Sequence, residues 1–160
     1  GGWVVAAGGS VLLSSRGALV ADESFRRTAF GSADEVQPTL AHGQRTTTPG
    51  WHVMRMPTSD WMETATGMGA GGAQLLLAHV AGGTLSGQRF VPVVQVTADA
   101  DTAERLSGDL DAVVRGAADD QAVELLEIVR AVASREHTPR ALEAGNVGFQ
   151  ITRGLLGTSM

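Results

Sequence analysis

The chain has 160 residues, of which 43% are hydrophobic and 18% charged, so it can bury a core and its length suits one domain or two very small ones. Its formal net charge of -5 argues against general binding to nucleic acids or anionic membranes, because both need a surplus of basic side chains. The absence of cysteine excludes disulfides, cysteine-ligated metals and a cysteine nucleophile. All twelve basic residues are arginine, which excludes a Schiff-base lysine within this chain.

The first fifty residues are predicted to form two short strands and a connector. Residues 3–6 and 10–14 are short apolar runs with β-branched side chains, and two consecutive glycines between them indicate a turn. Small and polar side chains dominate residues 15–50, which is typical of a connector, with one short helix near 22–29. No apolar run approaches the ~20 residues of a membrane span and no signal peptide is recognisable. We therefore expect a cytoplasmic protein.

Strands alternate with helices from residue 51 onward. Apolar runs predict strands at 51–55, 73–80, 90–98 and 110–114, with an edge strand at 149–152. Capping residues and three–four spacing predict helices at about 61–72, 102–108, 119–134 and 139–144. This alternation is typical of an α/β fold, and we expect three layers with a mainly parallel sheet and flanking helices. The predicted division is a strand pair and connector at 1–50 and an α/β domain at 51–160, or one domain over 1–160.

Local sequence patterns predict where three of the helices start and whether one strand is buried on both faces. Asp60 or Ser59 can cap the first of these helices, and Asp99 or Asp101 the second. Proline at the first helical position marks the start of the last helix at Pro139. The run at 73–80 shows no alternation, which predicts a strand covered on both faces.

An ordered series of motifs carries a family resemblance. Residues 49–74 read PGWHVMRMPTSDWMETATGMGAGGAQ, which resembles the C-terminal domain of the altronate/galactarate dehydratase family, sugar-acid hydro-lyases that also include sulfolactate sulfo-lyase. The resemblance continues through GGTLSGQRFVPVVQVTAD, GDLDAVVRG and LLEIVRAVASREHTPRALEAG, and covers roughly 35–152. There are also departures, since the family's Thr-Thr-Gly-Arg-Gly loop is HVAGG at 79–83 and the stretch before residue 49 is short.

The resemblance implies elimination of water from an aldonate or aldarate to give a 2-keto-3-deoxy acid. Such a dehydration needs a base beside the carboxylate, an acid for the leaving hydroxide and a group that holds the enediolate charge. A divalent metal ion can supply the last two, and the resemblance implies iron or manganese. The alternative is a non-catalytic carboxylate-binding or assembly domain of the same fold. The expected partners are a small sugar acid and either a second copy of the chain or an upstream catalytic region of a longer one, without nucleic acid or membrane.

His52 is the predicted catalytic residue, as the base or a metal-site residue. It lies in the matched motif at a predicted strand, and histidine is the side chain most easily tuned to act near neutral pH. The alternative is a hydrogen-bonded structural histidine. His79 is predicted to be structural, and we expect His42 and His137 at the surface or at a helix cap.

Small and polar residues supply the other predicted site positions. Glycines let the backbone approach a ligand closely, so substrate binding is predicted at Thr66, Gly67, Gly71, Gly72, Gln74 and Thr84. Tight helix–strand packing and a plain connecting loop are the alternatives. Asp109 and Asp111 alternate in a predicted strand, so both can face one side and bind the metal or orient other groups. A solvated turn is the alternative for this pair.

Overall fold

The computed structural model describes residues 2–15 and 39–150, together with positions 22, 24, 27 and 30. These residues belong to two compact units, the first containing the chain up to Ala73 and the second Gln74–Phe149. Each unit contains parallel strands with helices beside them, so the predicted α/β fold is confirmed, with its described strands in two small sheets. The division at residue 50 stays a prediction.

The first unit is built on two parallel strands. β1 (Ser10–Ser15) pairs with β2 (Gly50–Arg55), with Ser10 opposite Gly50. On one face of β2, Trp51 and Val53 pack against Phe30 and against partly buried residues of the N-terminal segment. The strands predicted at 10–14 and 51–55 are thus confirmed, whereas the helix predicted near 22–29 lies mostly outside the described residues.

The strand predicted at residues 3–6 is wrong, because this segment is a helix, α1 (Gly2–Ala6). The backbone N–H of Gly9 donates to the carbonyl of Val4 and closes the end of the helix. Val5 packs against the cluster around Trp51, so tertiary burial outweighs the β-propensity of the two valines. A short apolar run cannot be assigned to helix or strand by periodicity alone.

α2 (Trp61–Ala70) also belongs to the first unit and begins where its cap predicts. The Asp60 carboxylate accepts a hydrogen bond from the N–H of Glu63 at 2.8 Å, so Asp60 is the cap. The helix ends at Gly71, and Gly72 then has a φ of +102°, a conformation that favours glycine.

The second unit contains a three-stranded parallel sheet in the order β3–β4–β5, formed by Leu76–His79, Val93–Thr97 and Ala112–Val113. β4 is central and buried along its whole length. β3 is an edge strand whose side chains alternate between buried and exposed, and Leu77 is 50% exposed. The expectation that this strand is covered on both faces is therefore wrong, because only its inward face packs.

Three helices belong to the second unit: α3 (Ala100–Leu106), α4 (Ala118–Ala133) and α5 (Arg140–Glu143). Asp99 caps α3, as one of the two predicted alternatives, whereas Pro139 precedes α5 as its cap instead of starting it. Residues 149 and 150 are not in a strand, and the rest of the predicted edge strand lies outside the described residues. Among the described helices, none combines the length and apolar character needed to cross a membrane.

Candidate functional site

His52 lies inside the first unit with one of its two ring nitrogens bonded. The side chain is only 2% exposed, and Nε2 is 2.8 Å from the backbone carbonyl of Thr48. A carbonyl can only accept, so Nε2 carries the hydrogen and the neutral ring keeps its lone pair on Nδ1. This Nδ1 is buried and has no hydrogen-bond partner among the described residues. The geometry therefore fixes one tautomer and leaves a basic nitrogen unused.

His52 and Gly71 lie on the same side of the first sheet. Side chains alternate along a strand, so His52 and Met54 share the face opposite Trp51. A Cβ added at Gly71 would lie 2.5 Å from Met54 Cε, which shows that the end of α2 packs on this face. The structure thus places the predicted base and one of the predicted substrate-binding glycines on the same side of the first sheet.

The glycines of α2 allow close packing within the unit. A Cβ at Gly67 would lie 2.2 Å from Nε2 of His42, so the imidazole of His42 fills the space beside Gly67. Met54 and the backbone oxygen of Gln44 fill the corresponding space at Gly71. These contacts support the packing alternative at Gly67 and Gly71, and their role in substrate binding stays a prediction.

Two other predicted positions in this region have simple local roles in the structure. The Thr66 hydroxyl donates to the backbone carbonyl of Met62 one turn earlier in α2, at 2.7 Å. Gly72 is exposed and its positive φ forms the turn that follows the helix. Substrate binding by Thr66 and Gly72 also stays a prediction.

Sequence reasoning missed His42 and Glu63. His42 is half-buried, and its Nε2–H donates to the backbone carbonyl of Glu63 at 3.2 Å, which corrects the expected surface or capping position. Glu63 is only 1% exposed, and its carboxylate accepts a hydrogen bond from Thr58, whose hydroxyl in turn accepts from the N–H of Asp60. The spacing Asp60-x-x-Glu63 matches a capping box and was the available sequence signal for Glu63.

Asp111 is a fully buried carboxylate that joins two elements of the second unit. Its side chain is 0% exposed, Oδ2 accepts from the N–H of Gln95 at 2.7 Å, and Oδ1 accepts from the N–H of Arg140 at 2.9 Å. His137 Nε2 also lies 3.4 Å from Oδ1. Asp111 therefore ties β4 to the start of α5, and His137, expected at the surface or at a cap, is partly buried beside it.

Asp109 does not share this environment. It is exposed, and it lies in a turn closed by a hydrogen bond from its own N–H to the carbonyl of Leu106, because β5 begins only at Ala112. Across the described parts of the chain, no three His, Cys, Asp or Glu residues lie where they could hold a metal ion. Both oxygens of Asp111 also face N–H donors. The described residues thus do not fit a metal centre built on Asp109 and Asp111.

The carboxyl ends of β3 and β4 form a polar edge in the second unit. The loop after β3 is held by α3, since the N–H of Gly82 donates to the Thr102 hydroxyl at 2.8 Å and the Arg105 guanidinium donates to the carbonyl of Gly82 at 3.3 Å. Hydrogen bonds from Thr102 lower the pKa of the Asp99 carboxyl, with smaller contributions from the charges of Arg105 and His79. Ligands of α/β proteins usually bind at such an edge.

The remaining predicted residues lie near this edge or before the sheet. Thr84 is half-buried in the loop that follows β3, and Gln74 is exposed just before β3. His79 is exposed at the end of β3 and accepts a hydrogen bond from the N–H of Ala98 at 3.3 Å. The structural role expected for His79 agrees with this bond, while substrate binding by Gln74 and Thr84 stays a prediction.

Parallel strands with helices beside them define an α/β protein, and ligands of this class usually bind at the carboxyl ends of the strands. A family model for the C-terminal part of D-galactarate/altronate dehydratase matches residues 23–155. The chain therefore belongs to the D-galactarate/altronate dehydratase C-terminal family, and the resemblance drawn from its motifs is confirmed. A search of curated proteins found no match to this chain.

Proposed function

We propose that this chain takes part in the dehydration of an aldonate or aldarate to a 2-keto-3-deoxy acid, with His52 as the base. The observation that supports this most directly is the hydrogen bonding of the two imidazole nitrogens of His52. Nε2–H is held by the carbonyl of Thr48 and Nδ1 keeps a lone pair without a partner among the described residues. A base that removes a proton beside a carboxylate needs such a lone pair.

In the proposed step, Nδ1 takes the proton from the carbon next to the substrate carboxylate. The electron pair of that C–H bond forms the enediolate, and collapse of the enediolate expels the hydroxyl of the neighbouring carbon, which leaves as water with the proton that Nδ1 had taken. The resulting enol then becomes the 2-keto acid. The Thr48 carbonyl supports the imidazolium formed on His52, because it continues to accept from Nε2–H as the ring becomes charged.

The test is turnover by the full-length protein, supplied with ferrous or manganous ion, on a panel of aldonates and aldarates. We expect a 2-keto-3-deoxy acid from at least one of them. His52→Gln should lower kcat by roughly 100-fold or more, because general base catalysis contributes about that much. His79→Gln is the matched control and should retain activity. Absence of a keto acid from every substrate, or full activity of His52→Gln, would refute the proposal.

The second candidate function is carboxylate binding without catalysis. It is favoured by the burial of His52, together with the misfit between the described residues and a metal centre. A sugar acid that binds only the folded protein raises its apparent stability, by about 2.7 kcal/mol at a ligand concentration 100 times Kd. An increase in melting temperature with a sugar acid, without any keto acid produced, would support this function over the first.

A further inference from the structure

A short exposed segment between two glycines runs over the buried histidine. Residues 44–49, which we name the strap, are preceded by Gly43 with a φ of +73° and followed by Gly50 with a φ of +128°. Every residue of the strap is exposed except Thr46, which is half-buried. The strap therefore contributes no side chain to the core. Both flanking residues are glycines with positive φ: the N–H of Gly43 donates to Met54 Sδ at 3.4 Å, and Gly50 is the first residue of β2.

The strap lies over the face of the first sheet that carries His52. The carbonyl of Thr48 contacts the His52 ring, and the N–H of Thr46 donates to the carbonyl of Gly71 at 3.2 Å. Gly71 in turn packs on Met54, which shares a face with His52. The strap therefore lies against the ring of His52, which is 2% exposed.

Few interactions hold the strap closed. Five hydrogen bonds join it to other described residues. Two lie in the local turn between Gln44 and Ala41, and three reach the rest of the unit: Thr46 to Gly71, His52 to Thr48, and the Ser10 hydroxyl to the Thr48 carbonyl at 3.3 Å. Segments with exposed hydrogen bonds and few buried apolar contacts open at much lower free energy than the core. By contrast, the chain just before the strap is fixed by the half-buried ring of His42 against Gly67.

We propose that the strap swings about Gly43 and Gly50 to admit a carboxylate-bearing ligand to Nδ1 of His52. This inference rests on the proposed function of His52, and it supplies the access that a buried base requires. Opening breaks the bond between the Thr48 carbonyl and His52, and closing restores it over the bound ligand. Arg45 is the only charged residue in the strap sequence, so the strap carries a positive charge that favours an anionic ligand.

The experiment measures how fast diethyl pyrocarbonate modifies His52, with each histidine followed by peptide mass spectrometry. Ser10→Ala removes one strap bond and should raise the rate at His52 roughly two- to fivefold, as expected for an exposed hydrogen bond. Ser14→Ala on the same strand is the matched control and should leave the rate unchanged. Thr46→Pro, which removes the donor to Gly71, should raise the rate more than Thr47→Pro, and the rates at His79 and His137 should stay the same in all variants.

Denaturant dependence separates strap opening from unfolding. Opening of six residues exposes little surface, so the rate at His52 should depend weakly on urea below the unfolding transition. The proposal is overturned if the urea dependence at His52 equals that of global unfolding, or if Ser10→Ala leaves the rate at His52 unchanged. Galactarate added to the wild type should protect His52. If the strap opens but no sugar acid slows the modification of His52, the proposed role of His52 is refuted, whereas the motion of the strap is still supported.

Discussion

Two buried polar side chains, Asp111 in the second unit and His52 in the first, are paired to different extents. In the second unit, Asp111 accepts two backbone hydrogen bonds, Gln95 makes two bonds to Leu85, and the Thr97 hydroxyl donates to Val80. In the first unit, the buried His52 has one bonded nitrogen and one without a partner among the described residues. Buried polar atoms in native proteins are nearly always paired, and the exceptions concentrate at functional positions. The comparison supports a structural role for Asp111 and leaves His52 with a buried nitrogen available for the proposed chemistry.

The largest loss of stability is expected from removing the carboxylate of Asp111, which is paired in the second unit. Asp111→Ala leaves the N–H groups of Gln95 and Arg140 without their acceptor, and should lower the free energy of unfolding by about 3 kcal/mol or more. Asp109→Ala, at an exposed position, should change it by less than about 0.5 kcal/mol. Urea unfolding measures both. Equal effects of the two substitutions would remove the architectural role of Asp111.

A smaller loss of stability is expected from adding a methyl group at Gly71, where the end of α2 packs closely on Met54. Gly71→Ala places a methyl group against Met54 and the backbone of Gln44, and should cost about 2 kcal/mol of unfolding free energy. Gly83→Ala in the second unit is the control, because its Cβ meets nothing within 4 Å, and it should be neutral or slightly stabilising. Thermal or urea unfolding of both variants measures the difference. A fully stable Gly71→Ala would show that the strap and Met54 have room to move aside.

Replacing His52, which has one ring nitrogen without a hydrogen-bond partner among the described residues, should lower the free energy of unfolding less than either substitution above. His52→Leu loses the bond to Thr48, worth about 1 kcal/mol, but it also removes a buried nitrogen that lacks a partner. The Thr48 carbonyl keeps the hydroxyl of Ser10. We therefore expect the unfolding free energy to change by no more than about 1 kcal/mol while activity or ligand binding is lost. A loss as large as that of Asp111→Ala would mean that both units use their buried polar groups for architecture.

The smallest expected effect concerns acid sensitivity in the second unit. Hydrogen bonds from Thr102 lower the folded-state pKa of Asp99 below its ordinary value of 3.8. Its stabilisation is therefore complete above that value and is lost as the pH falls through the lower folded-state pKa. Between about pH 5 and pH 2, the urea midpoint of Asp99→Asn should fall less steeply than that of the wild type. Parallel pH profiles of the two proteins would contradict this assignment.

Local chemistry explains which features the sequence predicts. The cap at Asp60 and the cap at Asp99 each act on a residue three positions away, so their spacing is visible in the sequence. The strand at 51–55 and the family motif around it were likewise predicted from contiguous residues. Residues 3–6 gave no such signal, because their helix depends on packing against Trp51.

The site depends on contacts that no local pattern contains. Asp111 has partners 16 and 29 residues away, and these partners make it a structural residue where alternation alone suggested a ligand. His42 fits beside Gly67 only because α2 returns across the sheet, so neither residue reveals the other in the sequence. The bond between His52 and Thr48 spans only four residues, but whether Nδ1 finds a partner depends on the packing around the ring, which the sequence does not show.

The register of the two sheets also has a consequence for the order of folding. In the first sheet Ser10 pairs with Gly50, forty residues away, whereas in the second sheet Leu76 pairs with Val93, seventeen residues away. Closing the longer loop costs more chain entropy before any pairing is gained, and non-local pairings form more slowly. The three-stranded sheet is therefore expected to assemble before the strand pair that contains His52.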